Sequence, residues 1–134
     1  MKKWFAVIGD PIAQSKSPEM HNAWYEQGNV DATYIPIHVK PEELQQAVAS
    51  FKLLGASGWN VTIPHKQTIL PFLDELDELA KKMGAVNTVV RTAQGKLKGY
   101  NTDGPGFVKS LEEAIGHKKR TEPVLVIGAG GAAR

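Results

Sequence analysis

A glycine-rich loop at the end of the sequence has the spacing of a pyrophosphate-binding turn. An apolar run over residues 124–127 leads directly into Gly-Ala-Gly-Gly-Ala-Ala-Arg at 128–134. Gly128 would permit the tight turn, Gly130 would let the backbone approach a pyrophosphate, and the small Ala133 would keep the next helix close to the strand. The exposed amides of that helix would then attract the phosphate charge. The pattern predicts the first strand and loop of a dinucleotide-binding βαβ unit.

The alternative interpretation of this loop is a glycine-rich turn or a flexible tail. In a dinucleotide-binding unit, the acidic residue or arginine that selects NAD or NADP is expected about 20 residues further on, beyond the sequence given. A lone strand and loop bury too little apolar surface to form a domain. We therefore expect the chain to be a piece of a longer protein.

Four polar segments lie beside predicted strands. They are SKSP at residues 15–18, NVTIPHK at 60–66, GAVNT at 84–88 and GYNTDG at 99–104. The carboxyl ends of parallel strands share one sheet edge, and ligands bind in the crevice outside it. Two of the segments follow strand ends directly and are predicted at that edge, and the other two are placed there by analogy.

Short apolar runs alternate with helical patterns, which predicts α/β units with a mainly parallel sheet flanked by helices. Pro36 predicts an edge position for the second strand, because proline cannot donate to the ladder. Ser17, followed by Pro18 and Glu19, is the predicted N-cap of the first helix. Strands are predicted over residues 4–8, 33–39, 58–63, 86–91 and 96–100, and helices over 17–27, 41–54, 73–83 and 105–115.

Two of these helices have apolar side chains at helical spacing, so each is predicted to bury one face. The predicted buried residues are Leu44, Ala47, Val48, Phe51 and Leu54 in one helix, and Phe107, Val108, Leu111 and Ile115 in the other. Gly55 and Gly84 are the predicted C-terminal stops of the helices before them.

Composition limits the class of protein. With 134 residues and 42% hydrophobic content, the chain can form one core and has little room for a second. A net charge of +2 does not direct it toward nucleic acid or a membrane surface. Cysteine is absent, and the apolar stretch after the first three residues is too short for a signal peptide. We expect a cytoplasmic protein with no membrane span.

The polar segments, in this order and followed by VLVIGAGGAAR, resemble the shikimate dehydrogenase family from about residue 8 to 134. The resemblance implies a substrate-binding catalytic domain over 1–103, a helix and connector over 104–122, and the truncated start of a Rossmann domain over 123–134. It implies NADPH-dependent, reversible reduction of 3-dehydroshikimate to shikimate in aromatic amino-acid biosynthesis. It also allows a homodimer, with no nucleic-acid or membrane partner.

The resemblance assigns catalysis to Lys66 with Asp103 as its partner, both also contacting substrate. A carbonyl reduction needs a proton at oxygen as hydride reaches carbon, and a positioned acid can deliver it. Ser15 and Ser17 match the pair that binds the substrate carboxylate, and hydroxyl donors at a helix N-terminus suit an anion. Without the family match, a surface lysine, a turn aspartate, a loop serine and a capping serine would be the ordinary interpretations.

Asn60, Thr62 and Asn87 match polar positions that hold the ring hydroxyls of the substrate, since amides and hydroxyls both donate and accept. For Asn60, strand-end bonding to the backbone is the likelier alternative. Glu78 aligns with an acidic position on the coenzyme side of the cleft, although a solvated acidic helix face explains it equally well. The NADP-binding residues implied are Gly128, Ala129, Gly130, Gly131 and Ala132.

Other polar and aromatic side chains carry weaker predictions. The four histidines, His21, His38, His65 and His117, lack metal-ligand spacing, so no metal site is expected. His65 is expected to pack or solvate, and Trp24 to form core or cleft wall. The family's C-terminal helix, which returns to this domain with a further substrate contact, is absent from the sequence.

Two alternatives to an NADP-dependent shikimate dehydrogenase stay open at this point. The first is a module that binds shikimate-like or quinate-like acids without redox activity. The second is a relative that also accepts quinate or prefers NAD.

Overall fold

The computed structural model describes residues 2–116, 123 and 125–128, and within them six strands form one sheet in the order β2-β1-β3-β5-β6-β4. The strands are β1 (Lys3–Gly9), β2 (Ala32–His38), β3 (Gly58–Val61), β4 (Glu75–Leu76), β5 (Thr88–Arg91) and β6 (Leu97–Tyr100). The helices are α1 (Ser17–Gln27), α2 (Leu44–Leu54), α3 (Glu78–Met83) and α4 (Asp103–Ile115), with 3-10 turns at Pro41–Glu43 and Leu70–Phe72.

Strand direction brings the polar segments to one edge of the sheet. β1 pairs in parallel with β2 and β3, whereas β5 is antiparallel to both β3 and β6. The start of β5 therefore lies beside the end of β3, and the end of β6 returns to the same edge. The α/β prediction is confirmed, and the sheet is mixed because the β5–β6 hairpin reverses direction. β2 is an edge strand, as Pro36 predicted.

The core lies between the sheet and α2. Its side chains include Ala6, Ile8, Trp59, Val61 and Val89 from the sheet and Leu44, Val48 and Phe51 from α2. Full burial of a large apolar side chain contributes about 1.5–3 kcal/mol, so this face anchors the helix. Leu54 was predicted on the buried face but is 68% exposed. The helix ends there, and Gly55 turns the chain away in a left-handed conformation (φ 81°).

The helix predicted over residues 73–83 begins later, at Glu78. The backbone of Asp74 pairs with Leu97 (N–O 2.9 Å), and the Asp74 carboxylate accepts a bond from the Leu97 amide (2.8 Å). These contacts draw the segment into the sheet as β4. The Asp77 carboxylate then caps α3 by accepting from the Leu79 amide (3.2 Å). A tertiary contact therefore overrides the helical pattern here.

The apolar face of α4 was predicted to be buried, and that prediction is wrong. Phe107 is 68%, Val108 52%, and Leu111 and Ile115 are each 40% exposed. Periodicity identifies an apolar stripe but not what covers it, and among the described residues nothing covers this one.

The strand predicted over residues 124–127 is likewise not formed at 125–127, which are 61–92% exposed and have no partner strand in the described part of the chain. Gly128 has a φ of 119°, which favours glycine. The rest of the predicted glycine loop, residues 129–134, lies outside the described residues, as does most of the predicted connector. The domain boundaries predicted at 103 and 122 stay predictions.

Candidate active site

A cleft of about 550 Å³ opens at the edge where the polar segments meet. All four segments contribute to it, and α1 forms one wall. Polar lining residues are Gln14, Ser15, Ser17, His21, Asn60, Thr62, Lys66, Asn87, Thr102 and Asp103, and apolar ones include Ile12, Met20 and Trp24. The structure thus brings together every substrate-site residue that the sequence predicted. Trp24 is cleft wall, as expected.

Lys66 and Asp103 form an ion pair in this cleft, with Nζ 2.5 Å from Oδ2. The Lys66 side chain is only 17% exposed, whereas Asp103 is 44% exposed. The Lys66 carbonyl accepts from the Val86 amide (2.8 Å), which fixes the backbone of the loop after β3. Beside it, His65 is fully buried and its Nε2 donates to the Val39 carbonyl (2.6 Å). His65 therefore packs, as expected, and it anchors the backbone next to Lys66.

Asn101 sets the position of Asp103. Its Oδ1 accepts from the amides of Asp103 (3.0 Å) and Gly104 (3.2 Å), and its Nδ2 donates to the Ala85 carbonyl (3.1 Å). Asp103 is consequently the first residue of α4, where the helix dipole favours a carboxylate. The turn-forming role considered for Asp103 does not describe it. Asn101 was not predicted as a site residue, although its position two residues before Asp103 resembles a capping pattern.

Asn87 orients the other oxygen of the Asp103 carboxylate. Its Nδ2 donates to Asp103 Oδ1 (3.0 Å) and to Thr102 Oγ1 (2.7 Å). Its Oδ1 accepts from the Thr102 amide (2.9 Å) and the Thr88 hydroxyl (3.0 Å). A primary amide has two donors and about two acceptor positions, so all four are used within the protein. In this structure Asn87 supports Asp103, and its predicted contact with substrate stays a prediction.

The two serines lie at the start of α1, but Ser17 is not its N-cap. Lys16 occupies that position without a side-chain bond, and Ser17 is the first helical residue. Ser15 Oγ accepts from the Ser17 amide (3.2 Å), so the loop serine satisfies the free end of the helix. The Ser15 hydroxyl proton is then available on the cleft side, at the positive end of the helix dipole. The Ser17 side chain also lines the cleft, where it contacts Tyr34.

Asn60 is bonded to the protein scaffold, which agrees with the ordinary interpretation of this residue. Its Oδ1 accepts from the Tyr34 hydroxyl (2.7 Å), and its Nδ2 donates to the Asn87 carbonyl and the Thr88 hydroxyl (3.2 Å each). Burial raises the pKa of Tyr34 well above its usual range, the hydroxyl of Tyr25 adds to this, and a contact with Ser17 opposes it. The Tyr34 phenol therefore keeps its proton and remains a donor.

Gly9 allows β1 to approach the loop that follows β3. A Cβ at this position would lie 2.4 Å from the Thr62 methyl carbon and 3.0 Å from the Ile63 carbonyl oxygen. The Thr62 amide also donates to the Ile8 carbonyl (3.0 Å). The lack of a side chain at residue 9 therefore lets Thr62 line the cleft, which the strand pattern alone did not reveal.

Two described residues of the predicted site, Glu78 and Gly128, do not line the cleft. Both were predicted to contact the coenzyme. Glu78 is exposed in the first turn of α3, which agrees with the solvated helix face considered for it. Its predicted coenzyme contact stays a prediction. The described residues also contain no cluster of histidine or acidic side chains suited to a metal ion, and no described helix has the length and apolarity that crossing a membrane requires.

Comparison with known proteins decides the family. Residues 7–89 match the model of the shikimate dehydrogenase substrate binding domain. The chain belongs to the shikimate dehydrogenase family. A relative from Lysinibacillus sphaericus (strain C3-41), named shikimate dehydrogenase (NADP(+)), is 73% identical over all 134 residues, which cover 49% of its length. The chain therefore spans about half the length of the curated shikimate dehydrogenases it matches.

Solved structures agree on the fold. A crystal structure of a shikimate dehydrogenase in complex with NADP+ is 45% identical with a TM-score of 0.92, covering 98% of this chain and 45% of that one. A ligand-free 5-ketofructose reductase from Gluconobacter sp. strain CHM43 is 37% identical with a TM-score of 0.79, covering 84% of this chain and 40% of that one. The predicted family and fold are confirmed.

Proposed function

We propose that this chain is the substrate-binding and catalytic domain of an NADP-dependent shikimate dehydrogenase, which interconverts 3-dehydroshikimate and shikimate in aromatic amino-acid biosynthesis. The observation that supports this most directly is the Lys66–Asp103 pair, 2.5 Å apart, in a cleft that also contains the two serines. The names of the matched relatives support the same activity.

The cleft suits a small cyclic polyhydroxy acid. The hydroxyls of Ser15 and Ser17 at the positive end of α1 would bind the carboxylate. Across the cleft, Thr62 and the Lys66–Asp103 pair offer donors and acceptors to ring hydroxyls. An anion at one end and hydroxyls at the other fix the orientation of the ring, and hence which carbon faces Lys66.

In the direction of reduction, the C=O double bond of 3-dehydroshikimate becomes a C–O single bond. When bound, NADPH supplies the hydride, which arrives at the carbonyl carbon. The electron pair released onto oxygen takes a proton from the Lys66 ammonium, leaving a neutral amine. Asp103 holds that amine in place, and its exposed carboxylate gives a route for a proton from solvent. In the reverse direction the Lys66 amine accepts the hydroxyl proton.

The residues that would hold NADP are predicted to be Gly128, Ala129, Gly130, Gly131 and Ala132. Of these only Gly128 is described, and its positive φ of 119° fits a tight glycine turn. We further propose that the protein works in the cytoplasm and can form a homodimer. The net charge of +2 does not favour binding to nucleic acid or to a membrane surface.

The activity is testable by joining this chain to the C-terminal half of the L. sphaericus relative. We expect shikimate-dependent NADP+ reduction, and we expect Lys66→Ala to lower kcat by about 10²–10⁴-fold with a modest change in KM, because a proton donor is lost. Lys40→Ala, an exposed lysine outside the cleft, is the matched control. Near-normal turnover by Lys66→Ala would exclude Lys66 from the chemistry.

A second candidate is reduction of a neutral polyhydroxy ketone, which the 5-ketofructose reductase structure favours. The serine pair separates the two, since a neutral sugar has no carboxylate to bind. Ser15→Ala with Ser17→Ala should raise KM for shikimate at least about tenfold if a charge-assisted bond is lost. An unchanged KM for shikimate, together with faster turnover of a neutral ketose than of shikimate, would favour the second candidate. Comparing quinate and NAD+ in the same assay addresses the remaining alternatives.

A further inference from the structure

Tyr34 lies behind the cleft and contacts it through another residue. It is 3% exposed on β2, an edge strand, and is absent from the cleft lining. Its hydroxyl donates to Asn60 Oδ1 at 2.7 Å, and Asn60 lines the cleft. Tyr34 also contacts His21 and Ser17, which line the cleft, but the hydrogen bond that its hydroxyl donates goes to the Asn60 amide.

The hydrogen bonds of Asn60 determine what it can offer to a ligand. Both protons of Nδ2 have acceptors, the Asn87 carbonyl and the Thr88 hydroxyl, at 3.2 Å each. Among the residues that the structure describes, Oδ1 has one partner, the Tyr34 hydroxyl, and an amide oxygen accepts about two bonds. The remaining capacity is a single acceptor position on Oδ1. Asn60 can consequently accept from a ligand hydroxyl but has no proton left to donate.

Tyr34 is itself held firmly by α1. The Asn22 side chain bonds both the amide and the carbonyl of Tyr34, at 2.9 Å each. The ring of His21 stacks on the Tyr34 ring with centroids 4.2 Å apart and planes within 7°. The Nδ1 of His21 donates to the Ser17 carbonyl (2.9 Å). The same contacts therefore connect the serine end of the cleft to the position of Tyr34.

We propose that Tyr34 is a positioning residue that fixes the Asn60 amide so that Oδ1 accepts a hydrogen bond from one ring hydroxyl of the substrate. The inference rests on the proposed function for the identity of that ligand. Because burial keeps the Tyr34 phenol protonated, its donor role is constant over the working pH range. Tyr34 would thus contribute to selection of a ligand with a hydroxyl at one ring position.

The test compares Tyr34→Phe with Tyr25→Phe in this chain. Both changes remove one phenol hydroxyl near α1, but no hydrogen bond joins Tyr25 to a cleft residue within the described part of the chain. Calorimetric titration with shikimate and with its three analogues that each lack one ring hydroxyl measures affinity. NMR signals of the Asn60 side-chain amide, assigned by their loss in Asn60→Ala, report its environment without ligand.

We expect Tyr34→Phe to bind shikimate about threefold to tenfold more weakly, as loss of one positioned hydrogen bond implies. One deoxy analogue should bind both proteins with affinities within about twofold, because it lacks the hydroxyl that Asn60 accepts from. The Asn60 signals should shift in Tyr34→Phe and stay unchanged in Tyr25→Phe. Equal weakening for every ligand, or unshifted Asn60 signals, would overturn the inference. Failure of the unmodified chain to bind shikimate would count against the proposed function, and the ligand-free Asn60 signals would still decide the role of Tyr34.

Discussion

Replacing Asn101 with alanine tests how the protein holds Asp103 at the cleft. Asn101 is 4% exposed and bonds Ala85, Asp103 and Gly104. Alanine would leave the buried Ala85 carbonyl without its partner, which costs about 1–3 kcal/mol. It would also remove the acceptor for the first amides of α4, a loss of about 0.5–2 kcal/mol by comparison with N-cap replacements. Together these predict that unfolding becomes easier by about 2–4 kcal/mol, a large share of the stability of a small domain.

Urea denaturation of this chain, followed by circular dichroism, measures the change. Asn101→Ser is the matched variant, because its hydroxyl keeps an acceptor for the Asp103 and Gly104 amides without adding a buried charge, whereas the bond to Ala85 is lost. We expect its free energy of unfolding to lie between those of the unmodified chain and Asn101→Ala. Shikimate binding should weaken most in Asn101→Ala, since Asp103 then loses its fixed position. A loss of less than about 0.5 kcal/mol in Asn101→Ala would refute this account, since that is the range of ordinary surface changes.

Two further predictions concern the sheet. Gly9→Ala should lower stability by about 1–3 kcal/mol and weaken shikimate binding, because the new methyl overlaps Thr62 and the Ile63 carbonyl. Chemical denaturation measures the change in stability, and titration with shikimate measures the change in binding. Gly106→Ala is the control, because a Cβ at that position meets no atom within 4 Å. The Leu97 amide, and secondarily Lys52 and Lys96, lower the pKa of Asp74 in the folded chain. The carboxylate therefore stabilises the fold above the ordinary aspartate pKa, and this contribution is lost as pH falls through the lowered value.

Each of these two predictions has an outcome that would contradict it. Wild-type stability in Gly9→Ala would mean that β1 and the following loop can separate without cost. For Asp74, the comparison is with Asp74→Asn, whose stability should differ most from that of the unmodified chain near neutral pH and least in acid. A difference that grows as the pH falls would have the wrong sign.

Local chemistry accounts for most of what the sequence predicted correctly. Pro36 excluded a central strand, Gly55 and Gly84 ended their helices in left-handed conformations, and alternation of strands with helices indicated the α/β class. The site residues came from motifs in order along the chain, and all of those assigned to substrate line one cleft. These features depend on residue type and short-range spacing, which a sequence displays directly.

Features that depend on distant partners were not predictable in the same way. The segment before α3 joins the sheet because Leu97, far along the chain, pairs with Asp74. The apolar stripe of α4 looked like a core face, but periodicity does not show what covers it. Tyr34 was missed because only folding brings its hydroxyl within hydrogen-bond distance of Asn60. Asn101 was missed although its bonds to the Asp103 and Gly104 amides form a local capping pattern, and only its bond to Ala85 depends on folding.

For this protein, the order of its motifs was sufficient to determine the family and seven of the polar residues that line the cleft, but not Gln14, His21 or Thr102. Tertiary structure alone decided which of those groups remain free to bind a ligand. Asn87 uses every donor and acceptor inside the protein, and Asn60 retains one acceptor. The physical reason is that hydrogen-bonding capacity is a property of residue type, whereas its use depends on neighbours that are separated in sequence and brought together only by the sheet.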